Sequence, residues 1–364
     1  MSYLASELAC GYETTLLTLA SPCEGEYPID GRVARIGMGL TTERGGLWRG
    51  LLANRRRVRE LRKWGERLQP ALVLSFCDTN NILASMALGR RFSVVVCERS
   101  DPRQQQLSRV WEYLRDRSYP LARAVVSQTN SVTDYFRQRL GSRSNRVWLE
   151  TIPSAIRSPD MDGETLDAAR RQSRPRRLLM VGRLSKEKRV DRMLDAWARV
   201  GAARSEWRLR LVGDGPERGA LESQARALGI EAQVEFAGWS SDVWSEYRAA
   251  QAYAITSQYE GFPQALIEAM ASRLPVIAWD CSDAVQELLG GAAASEPGLA
   301  RMVPAGWRVS EPQGLERAIA SLVTDESLRL RMGEAAALRA VDYDWRSIAP
   351  RWLKLIESLL VEKS

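Results

Sequence analysis

Two hydrophobic rhythms alternate along the chain. Short apolar runs recur near residues 15–19, 71–75, 93–96 and 124–127 in the first half, and at Arg177–Val181, Arg208–Val212, Val234–Gly238, 252–257 and 275–278 in the second. Runs of this length with little internal alternation predict strands buried on both faces. Between them, apolar residues return every three or four positions, as at Val190, Leu194 and Trp197, and again in residues 217–228 and 242–249. That spacing predicts helices with one buried face. Strand and helix alternating at short intervals predict a parallel sheet with right-handed crossovers, once in each half.

A chain of 364 residues exceeds what one core usually fills, so two domains are expected. We place a first α/β domain over residues 1–155 and a polar, Arg-rich linker over 156–175. A second α/β domain follows over 176–344, and residues 345–364 form a closing amphipathic helix with Ile348, Trp352, Leu355, Ile356 and Leu359 on one face. The first domain opens unusually: residues 1–11 already have a helical pattern, with no strand before them.

Candidate chemistry concentrates in residues 260–270, where Glu260 and Glu268 bracket Gly261, Phe262, Pro263 and Gln264. Gly261 supplies a permissive backbone and Pro263 can open a helix, because its missing N–H would have no partner there. The free N–H groups that follow make a site for an anion. One carboxylate stays on the loop while the other rides the helix. With a phosphate on the N–H groups, the two acids can hold hydroxyls on opposite sides of it. Taken alone, two glutamates at this spacing are equally a loop acid and a helix-surface acid; the buried strands on either side carry the argument.

A second cluster follows the strand Arg177–Val181, where Gly182 breaks the run and Arg183, Lys186, Lys188 and Arg189 lead into a helix. Cations at a strand-to-helix turn suit a diphosphate, with arginine offering a planar fork of donors and lysine a point charge. Three cations at a helix start are disfavoured by its dipole unless an anion joins them. A solvated helix start is the alternative. Gly182, Gly238 and Glu260 each follow a strand end, where ligands sit in such sheets, so they are expected on one crevice. Trp239, next to Gly238, either lies near a nucleobase or packs against the turn.

These motifs resemble those of the retaining glycosyltransferases of family 4: the E-x7-E pattern on Glu260 and Glu268, preceded by Ser257, and the Gly-Arg-Leu-x-x-x-Lys pattern on Gly182, Arg183 and Lys188. The resemblance implies the GT-B fold, two doubly wound domains facing a crevice, with the last helix crossing back to the first domain. It implies a nucleotide-sugar donor, with Glu260 on the transferred sugar, Glu268 on the ribose, and Arg183 with Lys188 stabilising the departing diphosphate. No metal or other cofactor is implied. Gly261, Phe262, Pro263 and Gln264 would complete the donor site. A GT-B first domain normally begins with a strand, so that strand is expected to be missing here.

In the first domain, residues 75–82 and 94–102 are similar to the N-acetylhexosamine transferases that extend undecaprenyl-diphosphate-linked glycans. Many family members carry a histidine near the reacting sugar. This chain has no histidine at all, which excludes His-based triads, Cys–His nucleophiles and imidazole proton shuttles. Glu98 and Arg99 are the candidates for acceptor or phosphate contact in its place, an ordinary surface ion pair being the alternative.

Charge adds an independent line. Residues 44–67 carry nine basic and two acidic residues, a local excess equal to the formal net charge of +7. On a helix, Arg49, Arg55, Arg56, Arg59, Arg62, Lys63 and Arg67 fall on one side, with Trp48 and Leu52 among them. That combination suits an anionic membrane surface; a solvated helix face is the alternative. No aromatic platform or reading motif for nucleic acid accompanies it. Five cysteines without metal spacing fit reduced thiols. The sequence reading is a cytoplasmic enzyme, peripheral on the inner face of the membrane, that moves a hexose or N-acetylhexosamine, with UDP as the expected carrier, to a lipid-linked saccharide. A GT-B sugar-nucleotide epimerase and an inactive relative that binds membrane or a partner are the alternatives.

Overall fold

A computed structural model describes residues 2–21, 29–40, 47–158, 175–201, 206–290 and 300–361, with side chains described from residue 50 in the third of these. The first domain comprises α1 (Ser2–Leu8), β1 (Thr15–Thr18), β2 (Ala34–Gly37), α2 (Leu47–Leu68), β3 (Leu72–Phe76), α3 (Asp78–Leu88), β4 (Ser93–Cys97), α4 (Arg109–Ser118), β5 (Ala124–Ser127), α5 (Asn130–Leu140) and β6 (Trp148–Thr151). The second comprises β7 (Arg177–Val181), α6 (Val190–Val200), β8 (Arg208–Val212), α7 (Arg218–Ala227), β9 (Val234–Gly238), α8 (Val243–Ala249), β10 (Ala252–Ile255), α9 (Gln264–Ala271), β11 (Val276–Trp279), α10 (Asp283–Leu289), β12 (Ala300–Val303), β13 (Gly306–Val309), α11 (Pro312–Thr324) and α12 (Glu326–Ala340). The closing helix is α13 (Trp345–Val361).

The second domain is a seven-stranded sheet in the order β12-β13-β11-β10-β7-β8-β9, parallel except for β12. Its strands β10 and β11 are apolar throughout because both faces are covered. One face packs under α6, α7 and α11 through Met193, Trp197, Leu221 and Ile319, the other under α8, α9, α10 and α12 through Tyr247, Ile267, Leu288 and Ala336. The first domain holds a four-stranded parallel sheet, β3-β4-β5-β6, covered on one face by α3 and α5 through Ile82, Val132 and Phe136. Its other face is covered by α1 and α13, where Leu4, Ile348, Trp352, Leu355 and Leu359 meet Val95, Cys97 and Val126. Indole Nε1 of Trp345 also donates to Glu7 at 3.2 Å.

The strand near residues 15–19 does not join the sheet of the first domain. Among the described residues, β1 pairs only with β2, in a separate parallel ribbon, so the described part of the first domain has two sheets where the alternating pattern predicts one. The physical reason is that periodicity specifies a strand but carries no information about its neighbour.

The two domains meet at paired crossover segments: the backbone N–H of Ile156 donates to Tyr343, and that of Trp345 donates to Ile156. Hydrogen bonds across the crevice add to this. Gln104 Nε2 reaches the carbonyl of Cys281 at 3.0 Å, and Gln264 Nε2 reaches that of Ala155 at 3.0 Å.

Candidate functional site

β7 and β8 end side by side, and their last residues touch. A Cβ on Gly213 would lie 2.0 Å from the carbonyl oxygen of Gly182, so no other residue fits there. From Gly182 the chain turns through Arg183 to a short 3-10 turn, Lys186–Lys188, and enters α6 only at Val190. This turn is stapled to the end of β10. The Thr256 hydroxyl, fully buried, donates to the carbonyls of Lys188 at 3.1 Å and Arg189 at 2.9 Å. The N–H of Gln258 donates to Glu187 at 2.7 Å.

The staple brings Lys188 to Glu260. Lys188 Nζ donates to Glu260 Oε1 at 2.7 Å, and the Ser257 hydroxyl donates to the same oxygen at 2.6 Å. Lysine has three N–H donors, so two remain for phosphate oxygens. Pro263 then caps α9, as its ring allows, and Glu268 lies inside the helix, partly buried, accepting from the Tyr247 hydroxyl at 2.9 Å. Burial raises the Glu268 carboxyl to about 7, and the Tyr247 hydrogen bond opposes that rise.

These groups surround a cavity of about 380 Å³ whose wall includes Gly182, Arg183, Lys188, Glu260, Phe262, Pro263, Gln264 and Glu268. Residues up to 86 positions apart in sequence therefore share one concave site, whose wall combines Arg183, the Lys188–Glu260 pair, the amino end of α9 and Glu268. Gly261 faces the other way. A Cβ there would lie 2.8 Å from the carbonyl oxygen of Arg99 and 2.9 Å from Cα of Ser100, so the loop between β10 and α9 is pressed against the first domain.

Several sequence-predicted residues stand elsewhere. Trp239 is 78% exposed and is not part of the cavity wall. Gly238 bonds to Gly213 through its carbonyl at 2.7 Å and lies at the strand-end row rather than in the cavity. Glu98 is no surface group. It is 2% exposed, accepts from the Tyr119 hydroxyl, and lies 4.0 Å from the equally buried Arg115. Burial, reinforced by the Asp78 carboxylate, raises it to about 8. Its side chain supports the loop instead of presenting itself to an acceptor. Arg99 donates to the Ser154 hydroxyl at 2.6 Å, and burial lowers its pKa.

In the basic helix α2, Arg55, Arg56, Arg59, Arg62, Lys63 and Arg67 are exposed, as are Leu51 and Leu52, while Gly65 packs closely on Leu88 of α3. Residues 44–46, and the side chains of Trp48 and Arg49, lie outside the described residues. Among the described residues, no helix is long and apolar enough to cross a membrane.

Sequence reasoning missed Tyr247 and Tyr253, aromatic members of this site. Tyr247 is on α8 and Tyr253 on β10, and the crossover between them sets Tyr247 on Glu268 and the two rings 5.9 Å apart; no local pattern announces it.

Known proteins match both halves. Residues 2–149 fit the model described as Glycosyl transferase 4-like domain, and residues 164–339 the model described as Glycosyl transferases group 1. An uncharacterised glycosyltransferase of Haemophilus influenzae is 32% identical over 179 residues, which is 48% of this chain and 47% of the relative. The chain thus matches only about half the length of that relative. In Campylobacter jejuni, the N-acetylgalactosaminyltransferase whose name gives a GalNAc-GalNAc-diNAcBac-PP-undecaprenol acceptor is 26% identical over 301 residues, 81% of this chain and 77% of the relative. Among solved structures, a sucrose-phosphate synthase from Thermosynechococcus elongatus superposes with a TM-score of 0.78 at 17% identity, covering 99% of this chain and 92% of that one. The Anabaena protein HepE in complex with UDP gives 0.67 at 20% identity, covering 90% and 86%. Two glycosyltransferase domain models match the chain in succession, and its backbone superposes along nearly its whole length on a solved structure of the same architecture, so the chain has the GT-B fold.

Proposed function

We propose that the protein is a retaining glycosyltransferase that moves a hexose or N-acetylhexosamine from a UDP-sugar to a lipid-linked saccharide in surface glycan synthesis. The observation that carries this reading is the single cavity in which the Lys188–Glu260 pair, Arg183, the amino end of α9 and Glu268 converge. Glu260 accepts hydrogen bonds from the hydroxyls of the transferred sugar, held in place by Lys188 and Ser257. Glu268 accepts from the ribose. The diphosphate lies between them on the N–H groups of α9, and Arg183 with the free donors of Lys188 offset the charge that builds as it leaves, the task a divalent metal performs elsewhere.

The acceptor hydroxyl attacks the anomeric carbon while the bond to the diphosphate breaks, and the hydroxyl proton passes to the departing phosphate. No side chain is assigned as a covalent nucleophile. The acceptor enters from the first domain, whose loop at Arg99 and Ser100 abuts Gly261. The name of the Campylobacter relative supports an undecaprenyl-diphosphate-linked acceptor, and the UDP held by HepE supports the base. The exposed cations and leucines of α2 support action at an anionic membrane surface, on its cytoplasmic face.

The test is equilibrium binding of UDP, GDP and ADP to the full chain and to the R183A/K188A double variant. Tight binding of UDP that is lost in the double variant is the expected result. Binding of none of the three, or binding untouched by the double substitution, would remove the donor site and the reading with it.

A further inference from the structure

Arg189 holds a left-handed backbone conformation, φ 49° and ψ 42°, that glycine adopts freely and other residues adopt only against a steric cost. It stands alone between the 3-10 turn Lys186–Lys188 and the start of α6 at Val190. In the right-handed conformation Arg189 would join the two into one continuous helix, and Lys188, the residue before the break, would be carried round with it. The break is therefore what leaves Lys188 Nζ on Glu260, 2.7 Å from Oε1.

What holds the break comes from another strand. The Thr256 hydroxyl donates to the carbonyls of Lys188 at 3.1 Å and Arg189 at 2.9 Å, the two that flank the Arg189 Cα, so one side chain restrains both of its dihedral angles. Thr256 is fully buried and follows the wholly apolar strand β10, where valine would have the same shape. A buried hydroxyl costs free energy unless it is bonded, and these two carbonyls are its acceptors. The next residue, Ser257, donates to Glu260 at 2.6 Å. Two successive hydroxyls thus hold the two halves of the ion pair, Thr256 the backbone that carries Lys188 and Ser257 the carboxylate that receives it.

We propose that Thr256 is a positioning residue of the donor site: by bonding the carbonyls on both sides of Arg189 it locks the helix break that keeps Lys188 on Glu260, where the lysine meets the diphosphate. It acts through Lys188 and not on the ligand. This rests on the donor-site reading above.

The experiment is calorimetric titration of UDP and uridine into wild type, T256V, T256S, K188A and K188A/T256V. T256V should bind UDP roughly tenfold more weakly and uridine as wild type does, and T256S, which keeps the hydroxyl, should bind UDP as wild type does. In the K188A background T256V should add no further loss, because the group it positions is gone; a merely structural role would weaken both backgrounds alike. UDP affinity unchanged in T256V, an equal loss for uridine, or a T256V loss that persists in full without Lys188 would each overturn the proposal. Should T256V fail to fold, T256V/R189G is read against R189G: glycine takes the left-handed conformation without the lock, so the two should bind UDP equally, and a tenfold gap between them would overturn the assignment. The donor site is tested separately: if wild type fails to bind UDP, or K188A binds it as wild type does, that reading fails; if both behave as expected and T256V matches wild type, only the Thr256 assignment falls.

Discussion

Arg103 of the first domain is shared between Asp101 of its own loop, at 2.6 Å, and Asp283 at the start of α10 in the second domain, at 2.7 Å. One guanidinium thus ties the loop after β4 to the second domain. Nearby, the amino end of α5 is bound by the other domain: the N–H of Asn130 donates to Glu287 of α10 at 3.2 Å, a carboxylate at a helix start, where the dipole favours it. These contacts hold the crevice in the arrangement described.

Loosening that tie should change domain spacing more than stability. Arg103 and Asp283 are both over a third exposed, so the pair contributes only about 0.2–1 kcal/mol. R103A is expected to fold normally, and R103A/E287A to show a larger radius of gyration in X-ray scattering, with UDP restoring the compact form. Identical scattering of the double variant and wild type would mean that the crossover segments alone set the spacing.

The Glu268 carboxyl titrates near neutrality, at about 7, against an ordinary value of 4.5. If the ribose hydroxyls donate to it, nucleotide binding favours its ionised form, so affinity should rise with pH towards about 7 and level off above. E268Q should lose this dependence, while the nucleotide's own phosphate titration appears equally in both proteins. UDP titrations at pH 6 and pH 8 decide it; parallel pH profiles would detach Glu268 from the ribose.

Stability should carry the signature of Glu98. Its folded value of about 8 lies above the ordinary 4.5, so the folded protein keeps a proton that the unfolded chain releases. The stabilisation linked to this group is complete below about 4.5 and declines as pH rises to about 8, with a slope of at most about 1.4 kcal/mol per pH unit. E98Q, which cannot ionise, should flatten that part of the profile. Urea denaturation between pH 5 and pH 8.5 measures it, and an unchanged slope in E98Q would place the proton elsewhere.

For the basic helix α2, reversing Arg55, Arg56 and Arg59 to glutamate should abolish flotation with phosphatidylglycerol vesicles and leave UDP affinity intact. Each cation near the surface contributes about 1 kcal/mol at low salt, so binding by wild type should also fall as salt is added. Wild-type flotation that ignores salt would point to the exposed leucines, Leu51 and Leu52, rather than the charges.

The alternation of apolar runs and helical spacing was enough to read two α/β units and to set Glu260 on a loop and Glu268 on a helix, because strand, turn and helix preferences act over a few residues and leave their period in the chain. The Gly182 turn with Arg183 and Lys188 was legible for the same reason. Tertiary structure alone decided who meets whom. Lys188 finds Glu260 across 72 positions, and Arg103 finds Asp283 across 180. Glu98 and Arg99 are neighbours in sequence, yet one is sealed against Arg115 and Tyr119 while the other reaches Ser154 in the segment leading to the second domain. A strand sends successive side chains to opposite faces, but whether a face meets solvent, a helix or another domain depends on how the sheets and helices pack. That same packing separates Tyr247, paired with Glu268, from Tyr253, whose hydroxyl is buried without a hydrogen-bond partner among the described residues.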